Sequence, residues 1–229
     1  AYGLLYEPQT PGGGAAMGGA GGGVISLEVT GTLAVHGTIS ADGASHEHGG
    51  GAGGAIDIQA NVISGDGLIS ASGGSTVAFN EDVTNEGSIT VSASGPLSST
   101  AIFFGELSGN GVDGSGTVFI EGDLRPGFSP GTMTFGGDLG YGPLAALHLE
   151  IVGPDPGQYD RVEVNRNLDL GGSLVVSLLD GYLPPAGTSF QLLSADTFTG
   201  SFSALVLPDL PEGRQWDISR LESEGLLAV

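Results

Sequence analysis

Short alternating segments punctuated by glycine run along most of this chain. "VISLEV" (24–29), "TLAV" (32–35), "AIDI" (55–58) and "SITVS" (88–92) are rich in Val, Ile and Thr and end at Gly, Asn or Asp. Apolar and polar positions alternating with period two over four to six residues specify half-buried strands. No 3.6-residue periodicity of useful length competes. The best helical candidate is "ISRLESEGLL" (218–227), and Gly225 interrupts it.

The strand phrases repeat. "GGAGGGVISLEV" (18–29) realigns with "GGAGGAIDIQA" (50–60) after one gap, and "GTISADGAS" (37–45) realigns with "GLISASGGS" (67–75). This matches Ile25 with Ile56 and Ile39 with Ile69, a period near thirty residues. Looser echoes follow at "NEGSITVSAS" (85–94) and "GSGTVFIEGDL" (114–124). A fixed period of this kind marks a solenoid or array. Strands this short, joined by small-residue corners, predict an all-β fold: a single-stranded parallel β-helix, or β-solenoid. A sandwich or jelly roll is the alternative. The phrase "GGGAAMGGAGGG" (12–23) fits either a flexible linker or the turn-dense edge of a repeat, and the internal match favours the second.

From about residue 140 the strands lengthen. "ALHLEIVG" (146–153), "DRVEVNRNLDLGGSLVVSLLDG" (160–181) and "TSFQLLSA" (188–195) alternate strictly, and the larger apolar residues gather here, with the single Trp216. The expected organisation is Gly-rich β-helix coils over 1–139 and a thicker strand-rich closing module over 140–229, continuous with the solenoid. Eight to ten coils at about 4.8 Å each span about 40–50 Å.

Composition sharpens this picture. Glycine makes up 44 of 229 residues, yet 39% of the chain is hydrophobic and mean hydropathy is +0.19. There is apolar surface to bury, which argues for ordered structure with frequent turns rather than disorder. Cysteine is absent, so no disulfide staples the fold. Twenty-six acids face five bases, all arginine, for a net charge of −21. All five arginines lie beyond residue 124. A chain this acidic repels phosphate backbones and anionic membranes, which excludes nucleic acid as a partner. No run of 18 apolar residues occurs, so no membrane insertion by a helix is expected.

Candidate chemistry is sparse. "GFSPG" (127–131) has the Gly-x-Ser-x-Gly form of a hydrolase elbow, whose oxyanion hole uses the backbone N–H of the residue after the serine. That residue is Pro130, which has none. Ser129 therefore reads as part of a corner, with Pro126–Gly127 and Pro130–Gly131 as two type II turns. His36 with "HEHGG" (46–50) supplies three imidazoles and Glu47, a set that reads as a polar loop in the absence of a second reinforcing pair. "GNGVDGSG" (109–116) is one imperfect copy of a calcium-binding nonapeptide. Asp155 and Asp160 flank a Pro-Gly turn with oxygen-ligand spacing, which leaves Ca2+ as the one cofactor candidate. Glu81/Asp82 is a carboxylate pair for glycoside hydrolysis, spoiled if both lie on one strand, where neighbours face opposite ways. No catalytic, cofactor-binding or metal residue is assigned.

Three segments carry a resemblance: "GDLRPGFSPGTMTFGGDL" (122–139), "YDRVEVNRNLDLGGSLVVSLLDGYLPPAGTSFQLLSADTFTGSF" (159–202) and "LPDLPEGRQWDISRLESEGLLAV" (207–229). Over residues 108–229 the chain resembles secreted bacterial proteins with autotransporter-associated β-strand repeats, many of which carry a C-terminal Pro-Glu-Pro sorting signal. That signal does not occur in these residues. The resemblance implies a β-helical product at the bacterial cell surface and no shared catalytic residues. The expectation is a non-enzymatic, secreted structural protein: a self-assembling subunit of a surface layer, sheath, fibre or matrix. Its partners are copies of itself, as a homo-oligomer or head-to-tail polymer, and extracellular polysaccharide. The alternatives are a carbohydrate-binding adhesin, which calls for an outward aromatic or Asn/Asp ladder, and a polysaccharide-acting enzyme.

Overall fold

A computed structural model describes residues 11–14, 16, 18–44, 50–72, 76–86, 88–92, 99–127 and 129–229. The alternating segments form strands that stack in parallel, coil on coil, into three sheets around one core. The first sheet is eight strands deep: Val24–Ala34, Ala55–Ser64, Thr76–Phe79, Thr100–Phe103, Thr117–Ile120, Asp138–Tyr141, Asn167–Leu170 and Thr197–Gly200. The second holds seven strands, from Thr38–Ser40 to Leu193–Ser194, and the third six, from Val83–Asn85 to Ala204–Val206. The protein is a β-solenoid of about six turns rather than the eight to ten coils expected. All three sheets run across residues 139–140 without interruption.

Register confirms the internal matches. Ile25 lies beside Ile56, and Ile39 beside Ile69. The thirty-residue period does not hold throughout, because Ala101 and Val118 are partners only 17 residues apart. A coil needs the same three strands whatever its length, so corners absorb the variation.

Each inward column is a continuous apolar stack. In the third sheet Val83, Leu107, Leu124, Leu147, Leu174 and Leu205 follow one another, and the first five are fully buried or nearly so. In the first sheet Phe79 and Phe103 stack with ring centroids 4.5 Å apart and planes within 5°. Each such side chain contributes about 1.5–3 kcal/mol on burial, and the sum along the axis is what holds the solenoid together. Asn85, 5% exposed, sits at an inner corner and donates to the carbonyls of Asn110 (3.1 Å) and Gly111 (2.7 Å). Its amide thus satisfies backbone groups that the turn of the chain leaves without a ladder partner.

The glycine-rich beginning forms neither linker nor ordinary corner. Gly12 N–H donates to Gly22 O, Gly22 N–H to Ala52 O, and Ala52 N–H back to Gly13 O. Three segments bonded in a closed triangle cannot lie in one sheet, where a strand has neighbours on two opposite sides only. Segment 41–44 joins as a fourth member through Ala44 to Ala20, Gly51 to Ala44 and Gly54 to Ala41. Gly51 and Gly54, three residues apart, donate to the same neighbour, while Ala52 between them donates to another. That threefold repeat is the symmetry of an extended polyproline II-like strand. The bundle is a small polyglycine lattice beside the first two coils. A Cβ on Gly19, Gly21, Gly51 or Gly54 would meet a neighbouring backbone carbonyl far inside contact distance, which is why the segments are nearly pure glycine and alanine.

The far end is closed by different means. Ser189–Gln191, Leu226–Ala228 and Asp217–Arg220 make a small antiparallel sheet. The helix Leu221–Glu224 precedes Gly225, whose φ of 70° ends it, so the interruption read in the sequence is a helix stop. Phe190, Leu192, Leu221 and Leu227 are fully buried. Trp216 packs near Phe190 at 6.3 Å and donates its indole N–H to Pro208 O.

The two Pro-Gly dipeptides behave differently from each other. Pro126 ends the strand Asp123–Pro126, and Gly127 takes φ 64° as a turn requires. The second is not a type II turn: Ser129, not Gly131, has positive φ (42°), and the Ser129–Pro130 bond is cis. Gly131 is held instead by Asp160, which accepts its N–H at 2.7 Å. The chain then enters the strand Thr132–Phe135, so the segment is a corner between strands.

Candidate binding cleft

A hairpin follows the corner in the next coil. After the strand Ala146–Ile151 the chain turns back on itself: Val152 and Gly153 N–H donate to Gln158 O, and Ile151 bridges Tyr159 in antiparallel fashion. This hairpin makes its coil long, with Leu139 and Leu168 partnered across 29 residues. Beside the corner lies a cleft of about 180 Å³, lined by Ser108, Arg125, Pro126, Gly127, Ser129, His148, Glu150 and Asp160. Its floor is the outer face of the third sheet. Ser108 pairs with Arg125 across coils, and Leu107, Leu124, Leu147 and Leu149 turn inward, so their neighbours Ser108, Arg125, His148 and Glu150 face out.

Asp160 organises the cleft. It is 3% exposed and accepts two backbone N–H groups, from Gly131 at 2.7 Å and Glu150 at 2.8 Å. It thereby ties the corner of one coil to the strand of the next. Burial pushes its carboxyl up to about 6, against the opposing effect of the two amide bonds, and the neighbouring Glu150 carboxylate adds to the rise. Arg125 bonds Glu106 at 2.6 Å, with Asp123 at 3.9 Å. His148 Nε2 stands 3.3 Å from Asp123 without the alignment of a hydrogen bond. That nitrogen and Glu150 Oε2 are buried without a hydrogen-bond partner.

The residues singled out in the sequence are scattered. Ser129 reaches the cleft rim. Asp160 lies in the cleft, but Asp155 is exposed in the hairpin turn, so they do not form a joint oxygen site. His36 Nδ1 donates to the Asp66 carboxylate at 2.7 Å on the solvent side of the first two coils, while His46, Glu47 and His48 lie outside the described residues. Asn110 and Asp113 line an open groove with Thr132 and Thr134. Glu81 and Asp82 sit in a turn, where Asp82 accepts the Glu106 N–H at 2.8 Å. Among the described residues no three His, Cys, Asp or Glu side chains are grouped to hold a metal ion, and no helix is long and apolar enough to cross a membrane.

Sequence reading missed Arg125, His148 and Glu150. Their signal was available: in "DLRP" and "ALHLEI" they are the polar members of strands whose alternate positions are leucine or isoleucine. The first sheet carries three separate polar pairs on its outer side rather than the continuous Asn/Asp ladder that an adhesin calls for. Asn80 bonds Asp57 at 2.8 Å, Asn167 bonds Asp138 at 2.7 Å and Thr199 bonds Asp169 at 2.9 Å, each pair bridging two coils.

Fold and cleft define a β-solenoid with a polar concavity built from three successive coils. No protein-family model matches the chain, and no curated protein matches it. The resemblance to proteins with autotransporter-associated repeats rests on the quoted segments.

Proposed function

We propose that the chain is a non-enzymatic structural subunit of a bacterial cell-surface layer, sheath, fibre or matrix, secreted and self-assembling head to tail. The observation that carries this reading is the arrangement of unpaired edges. Among the described residues Val24–Ala34 has a strand neighbour on one side only, and so has Ala204–Val206. Along Val24–Ala34 no residue is buried; inward Ile25, Leu27, Val29 and Leu33 stay half exposed. An apolar cross-section with free backbone groups favours docking by another coil, and a contact between unlike ends that does not close builds a filament. The flanks, at a net charge of −21, repel one another and resist lateral fusion. Negative-stain micrographs and sedimentation of purified protein over rising concentration test this. Filaments or length-graded oligomers are expected; uniform single particles at high concentration overturn it.

A second reading, carbohydrate binding, is favoured by the polar cleft and the Asn/Asp pairs on the first sheet.

A further inference from the structure

We propose that the cleft beside the 127–131 corner, over the outer face of the third sheet, binds one saccharide unit of a neutral glycan. This gives the second reading above a site and a ligand class, and it rests on that reading.

The argument starts from what a coil requires. Ala101 to Val118 completes a turn in 17 residues, with all three sheets represented. Leu139 to Leu168 takes 29, and the excess includes the hairpin that leads to Asp160. Asp160 ties Glu150 of this coil to Gly131 of the 127–131 corner through two backbone amides. Stacking alone does not need that tie.

The chemistry of the lining selects the ligand. Arg125 and Ser129 offer donors, Glu150 and Asp160 offer acceptors, and His148 offers either according to its tautomer. Glu150 Oε2 and His148 Nε2 have no hydrogen-bond partner, and buried polar atoms left so are uncommon enough to mark where a further group completes the set. Donors and acceptors side by side match vicinal hydroxyls. Anionic ligands do not fit: the single arginine is already paired with Glu106, and carboxylates surround it. A divalent cation does not fit either, since no three-residue ligand set exists among the described residues. The volume of about 180 Å³ corresponds to about six waters at ~30 Å³ each, which admits one ring rather than a chain segment.

The test is calorimetric titration of the full chain with neutral hexasaccharides (gluco-, manno- and N-acetylglucosamine series), with polygalacturonate as an anionic comparison. At least one neutral series is expected to bind, and Arg125→Ala and Glu150→Gln are each expected to weaken it about tenfold or more. Glu28→Gln, in a separate groove near the first coil, is expected to bind as the parent does. Circular dichroism melts verify that the variants fold. Absence of binding by every neutral series, preference for polygalacturonate, or binding indifferent to both cleft variants overturns the proposal. The outcomes separate from those for assembly: filaments that ignore glycans sink the cleft alone, and single particles that bind them sink the filament alone.

Discussion

Replacing Gly54 with alanine tests whether the glycine-rich segments are a packed lattice or merely permissive linker. Gly22 donates to Ala52 O at 2.8 Å, and Ala55 donates to Gly23 O at 3.0 Å. A Cβ on Gly54 would strike the Gly23 carbonyl, so segments 18–23 and 50–54 must separate by at least about 1 Å, which takes bonds of this length past 3.5 Å. Two hydrogen bonds at about 1 kcal/mol each and an overpacking cost of about 1–3 kcal/mol oppose a gain of about 0.4–1 kcal/mol from the stiffer unfolded chain. The net is a local destabilisation of about 2–4 kcal/mol. Because each coil touches only its neighbours, the loss stays local. Hydrogen exchange read by mass spectrometry is therefore the assay. Peptides covering 18–23 and 50–54 are expected to exchange at least about thirtyfold faster, at 1.4 kcal/mol per tenfold, while those covering 146–178 do not change. Gly23→Ala is the control, since a Cβ there meets nothing within 4 Å and the glycine has ordinary φ. If the two variants exchange alike, the lattice does not exist.

Tyr141 is buried on an inward position with its hydroxyl unpartnered, and burial pushes its phenol upward. Tyr141→Phe is expected to raise stability by about 1 kcal/mol, read from denaturant melts; a loss of similar size refutes the assignment. Asn85→Ala leaves the carbonyls of Asn110 and Gly111 short of a donor and is expected to cost about 2–3 kcal/mol, with Asn85→Asp at pH 8 no better. Stability also depends on Asp160. Its carboxyl stands at about 6 in the folded chain against an ordinary 3.8, so folding favours the protonated form. That contribution is full below about pH 3.8 and is lost as pH rises through about 6, a loss of about 2 kcal/mol after allowance for solvent screening. Melts between pH 4 and 7 should show it, and Asp160→Asn should flatten the slope over that interval.

Much of the fold was legible along the chain. The matches of Ile25 with Ile56 and Ile39 with Ile69 are real neighbours, because inward positions of stacked coils select the same β-branched residues. The stop at Gly225 was legible for a local reason, a left-handed residue ending a helix. The coil count was overestimated because the ends of the chain go into the glycine bundle and the antiparallel closing sheet rather than into coils. The second Pro-Gly pair was misread because Gly131 is held by Asp160, twenty-nine residues later, and no local rule contains that contact.

By itself the sequence determined strand identity, the parallel coil and the acidic exterior, since alternation, β-branching and net charge are local or additive properties. Only the tertiary structure decided which polar residues meet. Ser108, Arg125 and the pair His148 and Glu150 come from three successive coils, and their convergence depends on register between strands. The glycine lattice is of the same kind: a glycine count cannot distinguish a loose chain from one packed too closely for any side chain, because that difference lies in what stands next to each Cα.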